Sequence, residues 1–134
     1  MRAFAMVLGM VLVVAACASS PTAEQQAAAD YGPPVGQEAA EAAAKEYLGG
    51  RLKDPYSAVY QCAPISKGFI QAAPLVGQKM QFGWLLDCTV NSKNSFGAYT
   101  GAKPYQFLFR DGRIIHVSGQ ECLAGGGCYM APMR

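Results

Sequence analysis

Cysteine and histidine are the residue types of this chain best suited to covalent or metal chemistry, and it has five cysteines and one histidine. The first cysteine, Cys17, ends an apolar N-terminal run. The other four are Cys62, Cys88, Cys122 and Cys128. Zinc sites commonly pair cysteines as C-x-x-C, which does not occur here, and His116 does not have the usual spacing to them. The four downstream cysteines therefore favour two disulfides over a metal site.

The pairing of these four cysteines is not fixed by their number, because four cysteines allow three connectivities. We favour Cys62–Cys88, since the two residues would lie on neighbouring strands. The second bridge would then be Cys122–Cys128, which closes a glycine-rich tail. Cysteines held in such bridges are not nucleophiles, because the thiolate is the reactive species.

His116 is the residue that could act as a general base near neutral pH. Catalysis would also need a nucleophile and an orienting acid close to it. Ser118 follows two residues later and Asp87 lies elsewhere, but neither belongs to a recognisable motif such as G-x-S-x-G. A lone strand histidine is more often a half-exposed surface residue. We therefore expect no enzymatic activity, no catalytic residue and no cofactor.

The first seventeen residues carry a targeting pattern. Arg2 gives a positive start, residues 4–14 are largely apolar, and small residues precede Cys17. The segment resembles a bacterial lipoprotein signal peptide with its lipobox. That resemblance implies cleavage of residues 1–16 and attachment of lipid, including palmitate, to Cys17, with Ala18 favouring the outer membrane facing the periplasm. An ordinary signal peptide in which Cys17 is incidental is the alternative.

Residues 17–36 predict a lipidated cysteine followed by a flexible tether, because alanine, serine, proline, glutamine and glycine dominate there. The remaining residues, 37–134, suit one small domain. The whole chain carries a net charge of only +2 and no basic cluster. This balance argues against a nucleic-acid partner, whose phosphates require concentrated lysine and arginine. The expected partners are the membrane, through Cys17, and an envelope protein or glycan.

The loop at 91–104 is the most distinctive stretch, because asparagines and glycines shape tight turns around embedded aromatic residues. The motif V-N-x-K-N-S-F-G-x-Y-x-G at 90–101, with K-D-P-x-S-A at 53–58, resembles small uncharacterised bacterial exported proteins and lipoproteins. The resemblance implies family membership and fold but no reaction. A purely structural connection is the alternative. The candidate partner-binding residues are Asn91, Lys93, Asn94, Phe96, Tyr99 and Lys103.

The elements that must position these residues are one helix and three or four antiparallel strands, which predict an α+β two-layer domain. Residues 37–53 have the helical period, with an apolar stripe that would pack on the sheet. This stripe consists of Ala40, Ala44, Tyr47, Leu48 and Leu52. Strands are predicted at 57–65, 81–90, 105–110 and 113–118, the second having the clearest period-2 alternation.

The Asp111-Gly112 pair predicts a hairpin between the last two strands. A two-residue turn would set His116 opposite Phe107. A three-residue loop over 110–112 would instead align Ile115 and Val117 with Phe107 and Tyr105. We expect the three-residue loop, because it buries the apolar residues together.

These patterns together predict a non-enzymatic cell-envelope lipoprotein with a structural or binding role carried by the 91–104 loop. An inhibitor or accessory factor of an exported hydrolase is the alternative function.

Overall fold

The computed structural model describes residues 20–71 and 79–133. Cys17 and the predicted signal peptide over 1–16 lie outside these residues, so their assignment stays a prediction. Within these residues there are two helices, α1 (Ala23–Ala28) and α2 (Gln37–Gly49). The strands are β1 (Asp54–Cys62), β2 (Ser66–Ile70), β3 (Gln81–Lys93), β4 (Lys103–Arg110), β5 (Arg113–Leu123) and β6 (Gly127–Pro132). Among the described residues, no helix is both long and apolar enough to cross a membrane.

The six strands form one antiparallel sheet, in which β3, β4, β5 and β6 are successive neighbours and β1 and β2 both pair with β3. The β1 and β2 strands follow each other along one edge, separated by a break at Pro64. At this break the Ala63 N–H still donates to the Asp87 carbonyl at 2.9 Å. Proline suits an edge because it has no N–H to donate. The α+β class and antiparallel sheet are confirmed, but the predicted counts of one helix and three or four strands are wrong, since the described residues form two helices and six strands.

The two additional strands are short and carry weak sequence signals. β2 is five residues long and contains Gly68. β6 begins at the last of three consecutive glycines, a composition typical of a loop. It nevertheless pairs with β5 along six residues, from Ser118–Pro132 to Leu123–Gly127. Pairing with a neighbouring strand therefore overrides the local preference of this tail.

One face of the sheet, which we call the helix face, packs against α2. The buried residues of α2 are Ala40, Ala44 and Leu48, so the predicted helical stripe meets the sheet. Opposite them lie alternate residues of the central strands, such as Leu86 of β3 and Phe107 of β4, which are paired across the ladder. Alternation along a strand sends the intervening side chains to the other face. We call that second face the open face.

The helix ends earlier than the sequence predicted. α2 stops at Gly49, and the N–H groups of Arg51 and Leu52 both donate to the Leu48 carbonyl at 2.9 Å. Gly50 is the C-cap residue. Two consecutive glycines weaken a helix because each costs about 1 kcal/mol relative to alanine. The chain therefore turns directly into β1, which begins at Asp54 rather than at residue 57.

The β4–β5 hairpin differs from the predicted three-residue loop. Arg110 pairs with Arg113 across a two-residue turn, and both turn residues have positive φ angles, 51° at Asp111 and 73° at Gly112. A register shift then follows between the Phe109 and Leu108 pairs. This shift leaves Ile115 exposed and sets Val117 opposite Phe107 in the core. The two-residue turn alone would set His116 opposite Phe107, and a bulge in β5 instead brings Val117 to that buried position. The Asp111-Gly112 turn is thereby kept without a longer loop.

The stretch just before α2 lies against the sheet. The Tyr31 ring packs edge-on against Phe82 at 5.7 Å, and the Trp84 indole N–H donates to the Gly32 carbonyl at 3.1 Å. Asp30 accepts a 2.7 Å hydrogen bond from the Arg110 guanidinium. The Gly32 N–H and then Arg110 lower the pKa of Asp30. The C-terminal part of the segment predicted as a tether is therefore attached to the start of β3 and the end of β4.

Candidate functional site

The tip of the 91–104 loop is a turn organised by Asn94. Its side-chain oxygen accepts hydrogen bonds from the Phe96 N–H at 2.9 Å and the Ala98 N–H at 3.2 Å. Its own backbone N–H donates to the Ala98 carbonyl at 2.8 Å, and Gly97 supplies a φ of 80°. An asparagine side chain that bonds to following N–H groups mimics a backbone turn. The tip therefore has a defined shape without help from a partner.

The base of the loop is tied to β3 and β1. The Asn91 side-chain oxygen accepts from the Gly101 N–H at 3.1 Å. The Thr100 N–H and hydroxyl both donate to the Ser92 carbonyl, at 3.2 and 3.3 Å. These bonds extend the β3–β4 hairpin beyond its ladder, since they join its two arms. The loop is consequently a continuation of the sheet.

Tyr99 connects the loop to the edge strand β1. Its hydroxyl donates to the Ser57 carbonyl at 3.3 Å, and the Ser57 hydroxyl accepts from the Lys93 N–H at 2.9 Å. The Lys93 ammonium lies 5.3 Å from the centre of the Tyr99 ring, within the range of a cation–π contact. Lys93 and Tyr99 are thus brought together. Lys103 begins β4 and is exposed.

Phe96 lies at the tip and points into solvent. Its side chain is 96% exposed, whereas Tyr99 is 51% exposed and half-covered by its contacts. Tyr56, the residue before Ser57 on β1, is 99% exposed. Large aromatic side chains are typical anchors of binding interfaces because each buries a large area on contact. The arrangement can present an aromatic anchor on a rigid support.

The open face carries a second feature, which the sequence did not predict. Three hollows adjoin one another across it, with volumes of about 370, 410 and 430 Å³. The first and second share Gln61 and Thr89, and the second and third share Gln106 and Met130. Together they form a groove that starts beside Tyr99. We call it the open-face groove, and each hollow lies within the size range of small-molecule sites.

Cross-strand pairing builds the floor of this groove. Asp87 of β3 pairs with Gln106 of β4, and Gln106 pairs with Ser118 of β5. Paired residues point to the same face of a sheet. Thr89 is likewise flanked by Gln61 of β1. The groove therefore crosses interior strands, where the ladder on both sides already uses the backbone groups.

His116 and Ser118 form a hydrogen-bonded pair at the far end of the groove. The His116 Nε2 and Ser118 Oγ atoms are 3.0 Å apart. Burial lowers the pKa of His116, so the neutral imidazole is favoured. Ser118 is only 5% exposed. Asp87 reaches the same face but is separated from Ser118 by Gln106. The pair can offer a polar lining to a bound molecule.

The cysteines pair as the sequence favoured. Cys62–Cys88 joins directly opposed residues of β1 and β3, with Cα atoms 4.1 Å apart, and Cys88 belongs to the core. Cys122–Cys128 joins opposed residues of β5 and β6, with Cα atoms 4.0 Å apart. Within the described ranges, no group of three or more histidine, cysteine, aspartate or glutamate side chains is arranged to hold a metal ion.

A signal for the groove was present in the sequence. The alternation of β3 assigns Asp87 and Thr89 to the face opposite Leu86 and Cys88. The partners Gln106 and Ser118, however, become their neighbours only through strand order and register.

Comparisons of this chain with models of known protein families, with curated proteins and with solved structures find no match.

Proposed function

We propose that this chain is a non-enzymatic lipoprotein of the bacterial cell envelope that binds a partner through its 91–104 loop. The observation that carries the binding role is Phe96, which is almost fully exposed at the tip of an internally hydrogen-bonded turn. Leaving such a side chain in water forgoes roughly 2 kcal/mol or more of burial free energy. A partner that covers it would recover this free energy.

Rigidity of the loop supports the same role. The Asn94 turn, the Asn91–Gly101 bond and the Tyr99–Ser57 bond hold the loop before any partner arrives. Preorganisation raises affinity because less conformational entropy is lost on binding. A loop that only connected two strands could do so with fewer residues.

The proposed location rests on the first seventeen residues. Cleavage before Cys17 and lipidation of its side chain would anchor the chain in a membrane, and Ala18 favours the outer membrane facing the periplasm. Several acyl chains on one cysteine give stable attachment. Disulfides agree with an oxidising compartment such as the periplasm.

The segment that follows the proposed anchor and the 91–104 loop lie at opposite ends of β3, as an anchored binding protein would need. The segment after the anchor contacts Phe82 and Trp84 near the start of β3, whereas the loop follows Lys93 at its end. At about 3.3 Å per residue, these points are roughly 30 Å apart along the strand. An anchored domain would therefore present the loop at the end of the sheet away from its attached segment.

Photocrosslinking in the native envelope tests the binding role. A photoreactive residue at Phe96 is expected to yield a defined crosslinked species. The control is Ile115, which is also an exposed apolar residue but lies near the opposite hairpin. The paired changes Lys93→Ala and Tyr99→Ala should weaken the crosslink. Equal crosslinking from Phe96 and Ile115, or none from Phe96, would refute the loop assignment.

Inhibition of an exported hydrolase is the second candidate, and the rigid tip favours it. Inhibitors that insert a preformed loop into an active site change little in shape on binding. The Asn94 turn with Phe96 at its apex has that character. Inhibition of a periplasmic lysozyme-like or protease activity, lost in Phe96→Ala, would favour this candidate over a scaffold role.

A further inference from the structure

We propose that the open-face groove is a binding site for a linear, uncharged oligosaccharide, with Tyr99 at one end and His116 and Ser118 at the other. The inference deepens the proposed function, on which it rests, because Tyr99 belongs to the 91–104 loop. It names the chemical class of a partner that would lie along the sheet.

The lining of the groove is almost neutral. Of the described residues that line the three hollows, Asp87 is the only one with a formal charge, and none is lysine or arginine. His116 adds no charge at neutral pH because burial lowers its pKa. A smaller hollow beyond His116, about 170 Å³, is lined by Lys79 and ends the neutral stretch. The Lys93 ammonium lies 5.3 Å from the centre of the Tyr99 ring at the other end. An acidic polymer would therefore meet cations only at the two ends of the groove, and a basic one would find a single carboxylate.

The polar groups of the lining are amides and hydroxyls, which both donate and accept hydrogen bonds. Gln61 and Thr89 are exposed in the first two hollows, and Gln106 is half-buried in the middle of the groove. The Asn91 side-chain oxygen is used by the Gly101 N–H, so its amide hydrogens remain to donate. Sugar hydroxyls match such groups because they have the same dual character.

Apolar surfaces alternate with these polar groups. Tyr99 lines the first hollow, Pro104 the second, and Met130 the second and third. Sugar rings have apolar C–H faces that pack on aromatic and aliphatic side chains, while their hydroxyls project to the sides. The Tyr99 ring is held in place by its bond to the Ser57 carbonyl, so it would provide a fixed platform.

An extended peptide fits this groove less well. Peptides that bind sheets do so by adding a strand at an edge, where backbone N–H and C=O groups are unpaired. The floor of the groove instead crosses β3, β4 and β5, each of which has neighbours on both sides, while residues of the edge strands β1, β2 and β6 line its ends. A peptide backbone lying there would rely on a few side chains for all its hydrogen bonds. An oligosaccharide needs no backbone partner.

The dimensions suit a chain of several sugar rings. From β1 to β5 the groove passes three inter-strand spacings of about 4.8 Å, roughly 15 Å in all. It also shifts along β3 from Asn91 to Asp87, four residues or about 13 Å. A monosaccharide would occupy only one hollow. A linear oligomer would contact all three, so affinity should rise with chain length.

The test is an NMR titration of the isotopically labelled full chain, purified in a detergent without a sugar headgroup. The probes are three uncharged tetrasaccharides: chitotetraose, cellotetraose and maltotetraose. At least one is expected to shift the amide resonances of Gln61, Thr89, Gln106 and Ser118 at millimolar concentration. Tetragalacturonic acid, a charged tetrasaccharide, is expected to shift none of them.

Two variants with equal exposure provide the matched comparison. Tyr99→Ala should weaken binding about tenfold, because an aromatic platform is lost. Tyr129→Ala should leave binding unchanged, since Tyr129 is 50% exposed but lies on β6, outside the three hollows. Gln106→Ala should weaken binding several-fold without touching the loop. Thermal melts of each variant establish that it is folded, and Tyr99→Leu, which also removes the ring but keeps more of its bulk, replaces Tyr99→Ala if the latter unfolds.

The outcomes separate this inference from the proposed function. Absence of shifts with all three neutral probes, shifts confined to another surface, or equal weakening by Tyr129→Ala would each overturn the groove assignment. Crosslinking from Phe96 to an envelope protein could still succeed in that case, and the proposed function would stand. Saccharide binding that Phe96→Ala leaves intact would support the groove even if crosslinking at the loop failed.

Discussion

Removal of the two disulfides one at a time should destabilise the domain unequally. The Cys62–Cys88 bridge spans 26 residues of sequence and Cys122–Cys128 spans 6. A cross-link stabilises mainly by restricting the unfolded chain, by an entropy that grows with the logarithm of loop length. At 25 °C this gives about 3.5 kcal/mol for the longer loop and about 2.2 kcal/mol for the shorter one. Loop length alone therefore predicts a difference of about 1.3 kcal/mol.

Burial adds to that difference. Cys88 is 3% exposed and packs in the core, so replacing both sulfurs of this bridge also leaves a cavity. Cys122 and Cys128 are exposed, and their replacement leaves none. The perturbation is a pair of double alanine variants, one for each bridge. We expect the Cys62–Cys88 pair to lose the larger free energy of unfolding.

Urea denaturation of both variants and the parent chain measures these free energies by linear extrapolation. The slope of the free energy with urea should increase in both variants, because the unfolded chain exposes more surface once a cross-link is gone. Alkylation after mild reduction is a second readout, in which the exposed Cys122–Cys128 bridge should open first. A loss from the Cys122–Cys128 variant equal to or greater than that from the Cys62–Cys88 variant would refute the reasoning.

Two further predictions concern single residues. Gly83→Ala should destabilise the domain by about 1–3 kcal/mol, because an added Cβ would meet the Phe109 carbonyl oxygen. The control Gly125→Ala meets no atom within 4 Å and should change the free energy of unfolding by less than about 0.5 kcal/mol. Equal effects of the two variants in thermal or urea melts would contradict this. The folded-state pKa of His116 is lowered by burial, so the unfolded chain binds the proton more readily and stability should fall as pH drops through about 6.5. In His116→Gln the urea midpoint should depend less on pH between about pH 7 and 5 than it does in the parent chain. The same pH dependence in both proteins would show that another group is responsible.

Local sequence patterns were sufficient for much of the core. The helical stripe through Ala40, Ala44 and Leu48 and the alternation through Leu86 and Cys88 both correspond to buried faces. Such periodicities arise because a helix or strand presents a fixed spacing of side chains to the core. The disulfide pairing followed from the expectation that Cys62 would lie on a strand beside Cys88.

Strand number and hairpin register were not accessible in the same way. The glycine-rich tail becomes β6 only because β5 is long enough to pair with it. The bulge near Ile115 arises because the Asp111-Gly112 turn and burial of Val117 demand different registers. Both outcomes depend on which pairing between strands is the more stable, and the local propensity of one segment carries no information about its partner strand.

The sequence by itself determined the loop residues, the even set of four downstream cysteines and the faces of the central strand, while the structure fixed the cysteine pairing. Only the tertiary structure decided that Phe96 is exposed at the tip while Tyr99 reaches across to Ser57. It alone also assembled the open-face groove, where Asp87, Gln106 and Ser118 become neighbours. The physical reason is that a side chain's face is set by its own strand, whereas its neighbours are set by strand order and register.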